Sequence, residues 1–405
     1  MDERGALPAW VVVAAGVAAA LHVGKLSPAL PVLATELGVT LLQAGFLLSL
    51  VQLAGMTLGL AIGLTVDGLG LRRSMLGGLL LLAAASFLGG LARDAQGLLL
   101  LRALEGLGFL MVSMPAPGLI RQLVPPQRVS TMLGLWGAYM PLGTALALLG
   151  GPMVIARAGW AAWWWWLALI TLLVAFAVWR VVPSDLARNG HSRPGPQQGW
   201  LRRLRLTLTA PGPWLVALSF AMYSGQWLAV IGFLPTIYAR AGVPTGLSAV
   251  LTALVAAVNM VGNIASGRLL SRGVPPSRLL HVGFAAMAIG TLLAFSALEL
   301  PPTLRFAAVL CFSMLGGLIP GTLFSLAVRL APGEGAVSTT VGWMQQWSSL
   351  GQFAGPPAVA LLAGAAGGWH WTWLMTGGCS LAGVVLALGI QSQLQRTLAA
   401  PISRP

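Results

Sequence analysis

The sequence Gly63-Leu-Thr-Val-Asp67-Gly68-Leu-Gly70-Leu-Arg72-Arg73 separates two long apolar runs. A turn with one carboxylate and two arginines cannot lie in hydrocarbon, because its polar groups would have no partners there. Its glycines let two helix ends approach closely, and its arginines favour the cytoplasmic side of a membrane. The stretch therefore predicts a cytoplasmic hairpin between two membrane-spanning helices.

The composition supports a membrane protein. Of the 405 residues, 57% are hydrophobic and 8% are charged, and the mean hydropathy is +0.85. These values exclude a soluble globular protein with a single core. The net charge of +14 would suggest nucleic acid for a soluble protein, but the arginines cluster on one side of the predicted spans. We therefore expect a polytopic protein of the lipid bilayer that binds no nucleic acid.

Twelve segments are long enough to cross a bilayer as helices, which takes about twenty apolar residues each. The first six are predicted at 9–34, 41–66, 74–92, 96–120, 128–155 and 161–182. The second six are predicted at 211–239, 246–270, 278–298, 302–329, 336–364 and 369–392. The polar stretch between the two sets predicts an N-terminal six-helix bundle over 1–182, a cytoplasmic linker over 183–210 and a C-terminal bundle over 211–405. Trp200 to Leu206 has the pattern of a short basic amphipathic segment.

The distribution of positive charge predicts the orientation. Of the 23 lysines and arginines, seventeen fall on the side of the 63–73 hairpin, four on the other side and two inside the spans. By the positive-inside rule the crowded side is cytoplasmic, and both termini lie there. The first span is too long for a cleaved signal and is expected to be retained. We expect a bacterial inner (plasma) membrane protein.

The two halves of the chain repeat. The segment 30–39, which begins Leu-Pro and ends Gly-Val, matches the segment 234–243 at an offset of 204. This repeat predicts two pseudo-symmetric bundles with a substrate site between them near the middle of the membrane. Tryptophans also recur at the start of the sixth and twelfth spans, where they are expected to form belts at the membrane interface.

Three charged side chains lie well inside predicted spans: Lys25, Arg102 and Glu105. Such charges are costly and need a partner, water or a function. Arg102 and Glu105 are spaced i,i+3 and can neutralise each other, which leaves Lys25 to attract an anionic solute. Alternatively, Lys25 reaches the interface, or binds Glu105 and leaves Arg102 free. His22, one turn before Lys25, is either a proton-coupling group or a packing residue.

Uncharged polar and aromatic residues complete the predicted substrate site. They supply hydrogen bonds to a small solute without the cost of burying a charge. The alternative is that they only join helices to one another. The predicted substrate-binding residues besides Lys25 and His22 are Tyr139, Tyr223, Gln226, Trp227, Asn259 and Gln346.

The pattern G-x-x-x-D-x-x-G-x-R-R at 63–73 resembles the signature loop between helices 2 and 3 of the major facilitator superfamily of secondary transporters. Residues 102–108 resemble the R-x-x-x-G-x-G element of its helix four. The resemblance covers essentially the whole chain and implies an all-α fold of twelve transmembrane helices. It implies that Arg102 and Glu105 take part in proton coupling. It also implies a cytoplasmic gate formed by Gly63, Asp67, Gly70, Arg72 and Arg73.

Two further comparisons concern the branch of that superfamily. Tyr223 followed by Phe233-Leu-Pro235, and Lys25 followed by Pro31, loosely resemble the cyanate and nitroimidazole transport family, with different spacing. Of the G-x-x-x-G-P-x-x-G-G element typical of antiporters, the fifth span retains only Gly150-Gly151-Pro152. This departure disfavours proton-driven drug export.

The expected function is therefore alternating-access uptake of a small organic or inorganic anion, by proton symport or uniport, in a protein that acts as a monomer. No cofactor and no metal is expected, and the protein is expected not to be an enzyme, because the histidines lack metal-ligand spacing and no phosphate-binding loop is present. One alternative is a proton-coupled efflux antiporter for drugs or metabolites. Another is a non-transporting sensor built on a transporter fold.

Overall fold

The computed structural model describes residues 7–185, 199–333 and 336–399. This part of the chain forms twelve transmembrane helices, α1 to α12. In the first half, α1 comprises Leu7–Gly24 and Leu26–Glu36, α2 Leu41–Ser49 and Leu53–Leu69, α3 Leu71–Gly89, α4 Ala95–Ser113 and Ala116–Leu123, and α5 begins with Pro126–Gly137. The helix Tyr139–Val181 then contains the rest of α5 and all of α6.

The second half continues the same all-helical architecture. Its helices are α7 (Pro211–Arg240), α8 (Thr245–Ser271), α9 (Pro276–Phe295), α10 (Pro302–Gly316 and Leu318–Arg329), α11 (Val337–Ala365) and α12 (Thr372–Ala399). Within the described ranges, ten continuous helical stretches are long and apolar enough to cross a membrane. One of them holds both α5 and α6, and the 29-residue α11 is not among the ten. The predicted all-α polytopic fold with twelve transmembrane helices is confirmed.

The hairpin at 63–73 is tighter than predicted. α2 ends at Leu69 and α3 begins at Leu71, so that Gly70, with φ of 88°, is the one residue between the two helices. Only glycine adopts such a positive φ without steric cost. Arg72 and Arg73 therefore lie in the first turn of α3 rather than in a loop. The side chains of residues 62–69, which include Gly63 and Asp67, lie outside the described part of the structure.

Glycines also end or separate other helices. Gly159, with φ of 81°, is the break between α5 and α6. This connection is shorter than the loop predicted at 156–160. Gly38 follows α1 with φ of 63° and Gly242 follows α7 with φ of 74°. These two glycines are equivalent positions of the predicted repeat, and the turn that both form needs a left-handed residue. The repeat is therefore visible in the backbone.

The helices pack in a pattern that brings the two halves together. The second segment of α1 packs against α7, α2 packs against α11, and the helix Tyr139–Val181 packs against α8. The helix Trp200–Thr209, which we call the linker helix, packs against α7 and α11. The division into bundles at 182/183 and 210/211 stays a prediction. We call the side where α1 begins and α12 ends the terminal face, and the other side the opposite face.

Candidate functional site

Four titratable side chains meet inside the first half, and we call them the charge cluster: His22, Lys25, Arg102 and Glu105. Their exposed fractions are 0%, 0%, 2% and 1%. Lys25 lies at the break between the two segments of α1. Arg102 and Glu105 lie one turn apart on α4, so both side chains leave that helix on one face. The four titratable side chains therefore come from two helices, α1 and α4.

Glu105 is shared by both cations of the cluster. Its Oε1 forms an ion pair with Lys25 Nζ, and its Oε2 lies 2.8 Å from Arg102 Nη1. The predicted pairing of Arg102 with Glu105 is present, but Lys25 does not lack a carboxylate. The reason is geometric, since the break in α1 places Lys25 directly opposite the same face of α4. With all three groups ionised the cluster carries a net charge of +1.

Neutral groups satisfy the remaining donors of the two cations. Lys25 Nζ donates to Ser86 Oγ at 3.0 Å and lies 4.7 Å from the centroid of the Trp164 ring. Arg102 donates to three backbone carbonyls of α1 and α2: those of His22, Val23 (3.2 Å) and Leu47 (2.9 Å). A buried guanidinium is tolerated when its donors are paired in this way. Both cations are therefore buried from solvent in this conformation.

His22 belongs to the same network. Its Nε2 lies 2.7 Å from Thr171 Oγ1, and its Nδ1 lies 3.4 Å from Lys25 Nζ and 3.9 Å from Glu105 Oε1. The ring therefore connects α6 to the ion pairs. Which nitrogen carries the proton depends on these partners. The geometry gives His22 a hydrogen-bond contact with α6 and a position next to both Lys25 and Glu105.

The tryptophans of α6 are not all part of an interfacial belt. Trp160, Trp163 and Trp164 are 7%, 5% and 1% exposed, whereas Trp165 and Trp166 are 40% and 53% exposed. The prediction of a belt is therefore wrong for the first three, because consecutive helical positions face different directions. Trp163 Nε1 donates to the backbone carbonyl of Lys25 at 3.3 Å and so supports the break in α1.

Sequence reasoning missed four residues around the charge cluster: Ser86, Trp163, Trp164 and Thr171. A hydroxyl in an otherwise apolar span was the available signal for Ser86 and Thr171, since a buried polar group needs a partner. Ser86 also donates to the backbone carbonyl of Trp164 at 2.9 Å. It thereby ties α3 and α6 to the cluster, so that α1, α3, α4 and α6 all contribute to it.

A second polar group lies inside the second half. Asn259 donates from Nδ2 to the Tyr223 hydroxyl at 3.0 Å and to the backbone carbonyl of Ser313 at 2.8 Å. Trp227 Nε1 donates to Ser313 Oγ at 3.2 Å. These bonds join α7, α8 and α10. Three of the predicted substrate residues therefore lie together, but in this conformation each is already hydrogen-bonded to a neighbouring helix.

Gln226 and Tyr139 lie apart from that group. Gln226 donates to its own helix at the Met222 carbonyl, 2.9 Å away, and accepts from Ser380 Oγ at 3.1 Å. Tyr139 stacks on Trp136 with ring centroids 4.3 Å apart and an interplanar angle of 19°. Tyr139 is half-buried and has an aromatic rather than a polar environment. The structure therefore places neither Gln226 nor Tyr139 in the group formed by Tyr223, Trp227 and Asn259.

Three glutamines lie where α2 meets α11, and we call them the interface amides: Gln52, Gln346 and Gln352. Gln346 donates to the Met56 carbonyl at 2.8 Å and accepts from the Leu60 N–H at 3.1 Å. Gln52 Nε2 donates to Gln352 Oε1 at 3.1 Å. Gln52 is 2% exposed and was missed by sequence reasoning, although an amide within an apolar span was a signal for it. These bonds connect the two halves of the chain.

At the terminal face an acidic residue lies at the start of α3. Asp185 accepts hydrogen bonds from the N–H groups of Arg72 (3.0 Å) and Arg73 (3.1 Å). Arg72 also donates from Nη2 to the Trp179 carbonyl. Two arginines in the first turn of a helix are unfavourable to its dipole, and a carboxylate at that position compensates. Asp185 was missed because it lies more than one hundred positions away in the sequence.

Twelve helices in two repeated sets, with buried polar groups within and between the halves, are the architecture of a secondary transporter. The chain belongs to the Major Facilitator Superfamily, whose family profile matches residues 12–356. It is a multi-pass membrane transporter for a small-molecule substrate and not an enzyme. The resemblance to the cyanate and nitroimidazole transport family stays a prediction.

Individual relatives have different named functions. The chain is 26% identical to the plastidic glucose transporter 4 of Arabidopsis thaliana, over 80% of this chain and 68% of that protein. It is also 26% identical to a chloramphenicol resistance protein of Streptomyces lividans, over 88% and 89% of the two chains. A match of 30% identity to the puromycin resistance protein of Streptomyces alboniger covers 43% of this chain and 35% of that one.

Solved structures share the fold. Crystal structures of a bacterial homologue of the human lysosomal transporter Spinster, in inward-facing conformations, superpose with TM-scores of 0.73 (unoccupied) and 0.75 (occupied). Each covers 97% of this chain and 96% of the other, at 15% and 17% sequence identity. The TM-scores establish a shared fold, and identity this low supports no statement beyond the fold.

Proposed function

We propose that this protein is a proton-coupled secondary transporter of a small solute in a bacterial inner membrane, with the terminal face in the cytoplasm. The observation that carries the proposal is the charge cluster, in which one carboxylate is shared by two cations at almost complete burial. An ionisable group inside a membrane span is costly and needs a functional or structural reason. The cluster is proposed to be the proton-coupling site.

Charge arithmetic shows how the cluster can carry a proton. Arg102 alone neutralises Glu105, so loss of the proton on Lys25 leaves the cluster neutral, and its return gives a net charge of +1. A net charge is far more costly in a dry interior than beside water. The two protonation states therefore favour different degrees of hydration around the cluster. Because α1, α3, α4 and α6 all contribute to it, a change in hydration requires these helices to move.

The solute is proposed to bind between the two halves, where the interface amides can exchange their hydrogen bonds for bonds to a ligand. The Tyr223–Asn259 pair, inside the second half, is proposed to do the same. Alternating access would break the Gln346 contacts with α2 and re-form them in each cycle. The gate residues at 63–73 would act with Asp185 at the terminal face. The interface amides and the Tyr223–Asn259 pair are uncharged hydrogen-bonding groups, and such groups suit a polar solute. The gate residues are the charged ones.

An anionic solute is supported by the net charge of the cluster. For Lys25 to contact the anion directly, its ion pair with Glu105 would first have to open, leaving that carboxylate to Arg102. Uniport of an anion would need the solute to bind at Lys25 without any change in proton binding. Symport would need the solute to bind and a proton to bind with it. The two cases therefore differ in proton movement and can be separated by experiment.

The test uses purified protein in proteoliposomes that contain a pH-sensitive dye. Candidate solutes, both small anions and neutral polar compounds, are screened first by thermal stabilisation, because ligand binding to the folded state raises its melting temperature. A stabilising solute should then drive proton movement in the wild type. In Lys25→Gln, proton movement should be lost. Exchange of labelled solute should persist for a neutral solute and fall for an anion that contacts Lys25. Proton movement that is unchanged in this variant would refute the coupling role.

Export of an antibiotic-like compound is a second candidate function. It is favoured by the similarity to a chloramphenicol resistance protein over almost nine-tenths of each chain. Cells that produce the protein should then accumulate less chloramphenicol than control cells, and an uncoupler should remove the difference. Uptake of a solute by the same cells, with unchanged chloramphenicol accumulation, would favour the importer. A protein that moves no solute in either assay would favour the sensor alternative.

A further inference from the structure

A cleft of about 450 Å³ opens between the end of α5 and the start of α8. α5 contributes Leu149, Met153 and Arg157 to its walls, and α8 contributes Gly246, Ala249 and Val250. The cleft lies near the opposite face, where α5 ends and α8 begins. It is separate from the charge cluster and from the interface amides, since it shares no residue with either.

The cleft has one charged end, and apart from Thr245 the rest of its wall is apolar. Leu149, Met153 and Arg157 are spaced four residues apart and therefore form one stripe along α5. At a rise of 1.5 Å per residue, the stripe extends about 12 Å from its apolar end to its arginine. Methionine adapts its shape easily to an apolar ligand. This arrangement matches a molecule with an anionic head and a hydrocarbon tail.

Within the described part of the chain, Arg157 has no carboxylate partner. Its Nη1 donates to the Met153 carbonyl of its own helix at 3.3 Å. Among the residues that the structure describes, the ion pairs all lie in the charge cluster. The side chain is exposed, and its guanidinium has five donors, which suit the oxygens of a phosphate group. An anionic group at this position would therefore meet an available partner.

The apolar wall is open to the surroundings. Leu149, Met153 and Val250 are 42%, 55% and 52% exposed. On a membrane-spanning surface these side chains face lipid, so a tail can enter the cleft from the bilayer without crossing water. A water-soluble anion would gain nothing from the apolar wall. The occupant that fits both parts is a lipid.

We propose that the cleft between α5 and α8 binds a phospholipid with a net negative charge from the leaflet at the opposite face. The phosphate group contacts Arg157, and an acyl chain lies between Met153 and Val250. Because α5 belongs to the first half of the chain and α8 to the second, the lipid contacts both halves at once. It stabilises the conformation in which this cleft is open and thereby affects the transport cycle without being transported.

The test measures lipid binding by the full-length protein and does not depend on transport. Protein purified in a neutral detergent is titrated with phosphatidylglycerol or phosphatidylcholine, and bound lipid is counted by native mass spectrometry. Arg157→Gln removes the charge, and Gly246→Phe fills the cleft, since a Cβ at Gly246 meets no atom within 4 Å. The matched control is Arg93→Gln, which changes another exposed arginine of the same face outside the cleft.

The expected result is one tightly retained phosphatidylglycerol in the wild type and in Arg93→Gln. Its apparent Kd should rise about tenfold in Arg157→Gln, as for the loss of a charge-assisted hydrogen bond, and binding should be lost in Gly246→Phe. Glycerol phosphate, which has the head but no tail, should not compete. The proposal is overturned if phosphatidylcholine binds equally, if both arginine variants lose the lipid alike, or if glycerol phosphate displaces it.

Discussion

Lys25 and Glu105, eighty positions apart, form an ion pair between α1 and α4 with both side chains almost fully excluded from solvent. The same carboxylate also binds Arg102, so one anion is paired with two cations and the three groups keep a net charge of +1 when all are ionised. The three residues are therefore expected to differ in how much each contributes to stability. Removing Glu105 affects both cations, whereas removing Lys25 leaves a neutral pair behind.

The first prediction concerns stability. Glu105→Gln is expected to destabilise the protein by about 3–5 kcal/mol, because it leaves uncompensated buried positive charge. Lys25→Ala is expected to cost less, because Arg102 still neutralises Glu105. Thermal unfolding of the purified proteins in one detergent measures the order. Equal losses in the two variants would show that Arg102 alone does not neutralise the carboxylate.

The second prediction concerns the contact between the halves. Gln346→Ala removes both hydrogen bonds to α2, at the Met56 carbonyl and the Leu60 N–H. Each is worth about 0.5–1.5 kcal/mol, so the population in which α2 and α11 separate should rise several-fold. Spin labels on these two helices would report the change as a longer distance. Gln345→Ala, the neighbouring amide without these two contacts, is the control and should leave the distance distribution unchanged.

The third prediction concerns the start of α3. A Cβ added at Gly70 would lie 2.5 Å from Asp185 Oδ2, at a φ of 88°. At Gly38, with φ of 63°, a Cβ meets no atom within 4 Å. Gly38→Ala should therefore cost only the left-handed backbone penalty of about 1–2 kcal/mol, and Gly70→Ala should cost more.

Thermal unfolding of the two glycine variants tests this order. Asp185→Ala by itself should also destabilise, because it removes the acceptor for the N–H groups of Arg72 and Arg73. In the double variant with Gly70→Ala the clash is absent, so the combined loss should be smaller than the sum of the two. An additive result would mean that Asp185 does not contact Gly70 in the membrane-embedded protein.

The fourth prediction separates a solute contact from a structural bond at Tyr223. Tyr223→Phe removes both contacts between the Tyr223 hydroxyl and the Asn259 amide, at Nδ2 (3.0 Å) and Oδ1 (3.2 Å), while Asn259 keeps its bond to the Ser313 carbonyl. The fold should therefore lose only about 1 kcal/mol. If the hydroxyl also binds solute, the KM for transport should rise several-fold in addition to this small loss of stability. Tyr238→Phe, on the same helix, is the control. A fall in melting temperature with an unchanged KM would assign Tyr223 to helix packing.

Sequence alone predicted the number, order and approximate bounds of the membrane helices, and the repeat that places Gly38 and Gly242 at equivalent turns. These features are local, since a span is recognised by its own length and apolarity and a turn by its own glycine. The resemblance of the hairpin at 63–73 to a known signature pointed to the family that the profile match shows. Sequence also identified the charged residues of the cluster, because any charge inside an apolar run stands out.

Only the tertiary structure decided which partners those residues have. The pairing of Lys25 with Glu105 depends on how α1 and α4 are rotated about their axes, and the contact of Asp185 with the start of α3 joins positions far apart in the chain. The same holds for Gln52 with Gln352, and for the tryptophans of α6 that turn inward. A sequence determines which side chains a helix carries, whereas the packing of helices against each other determines which of them meet.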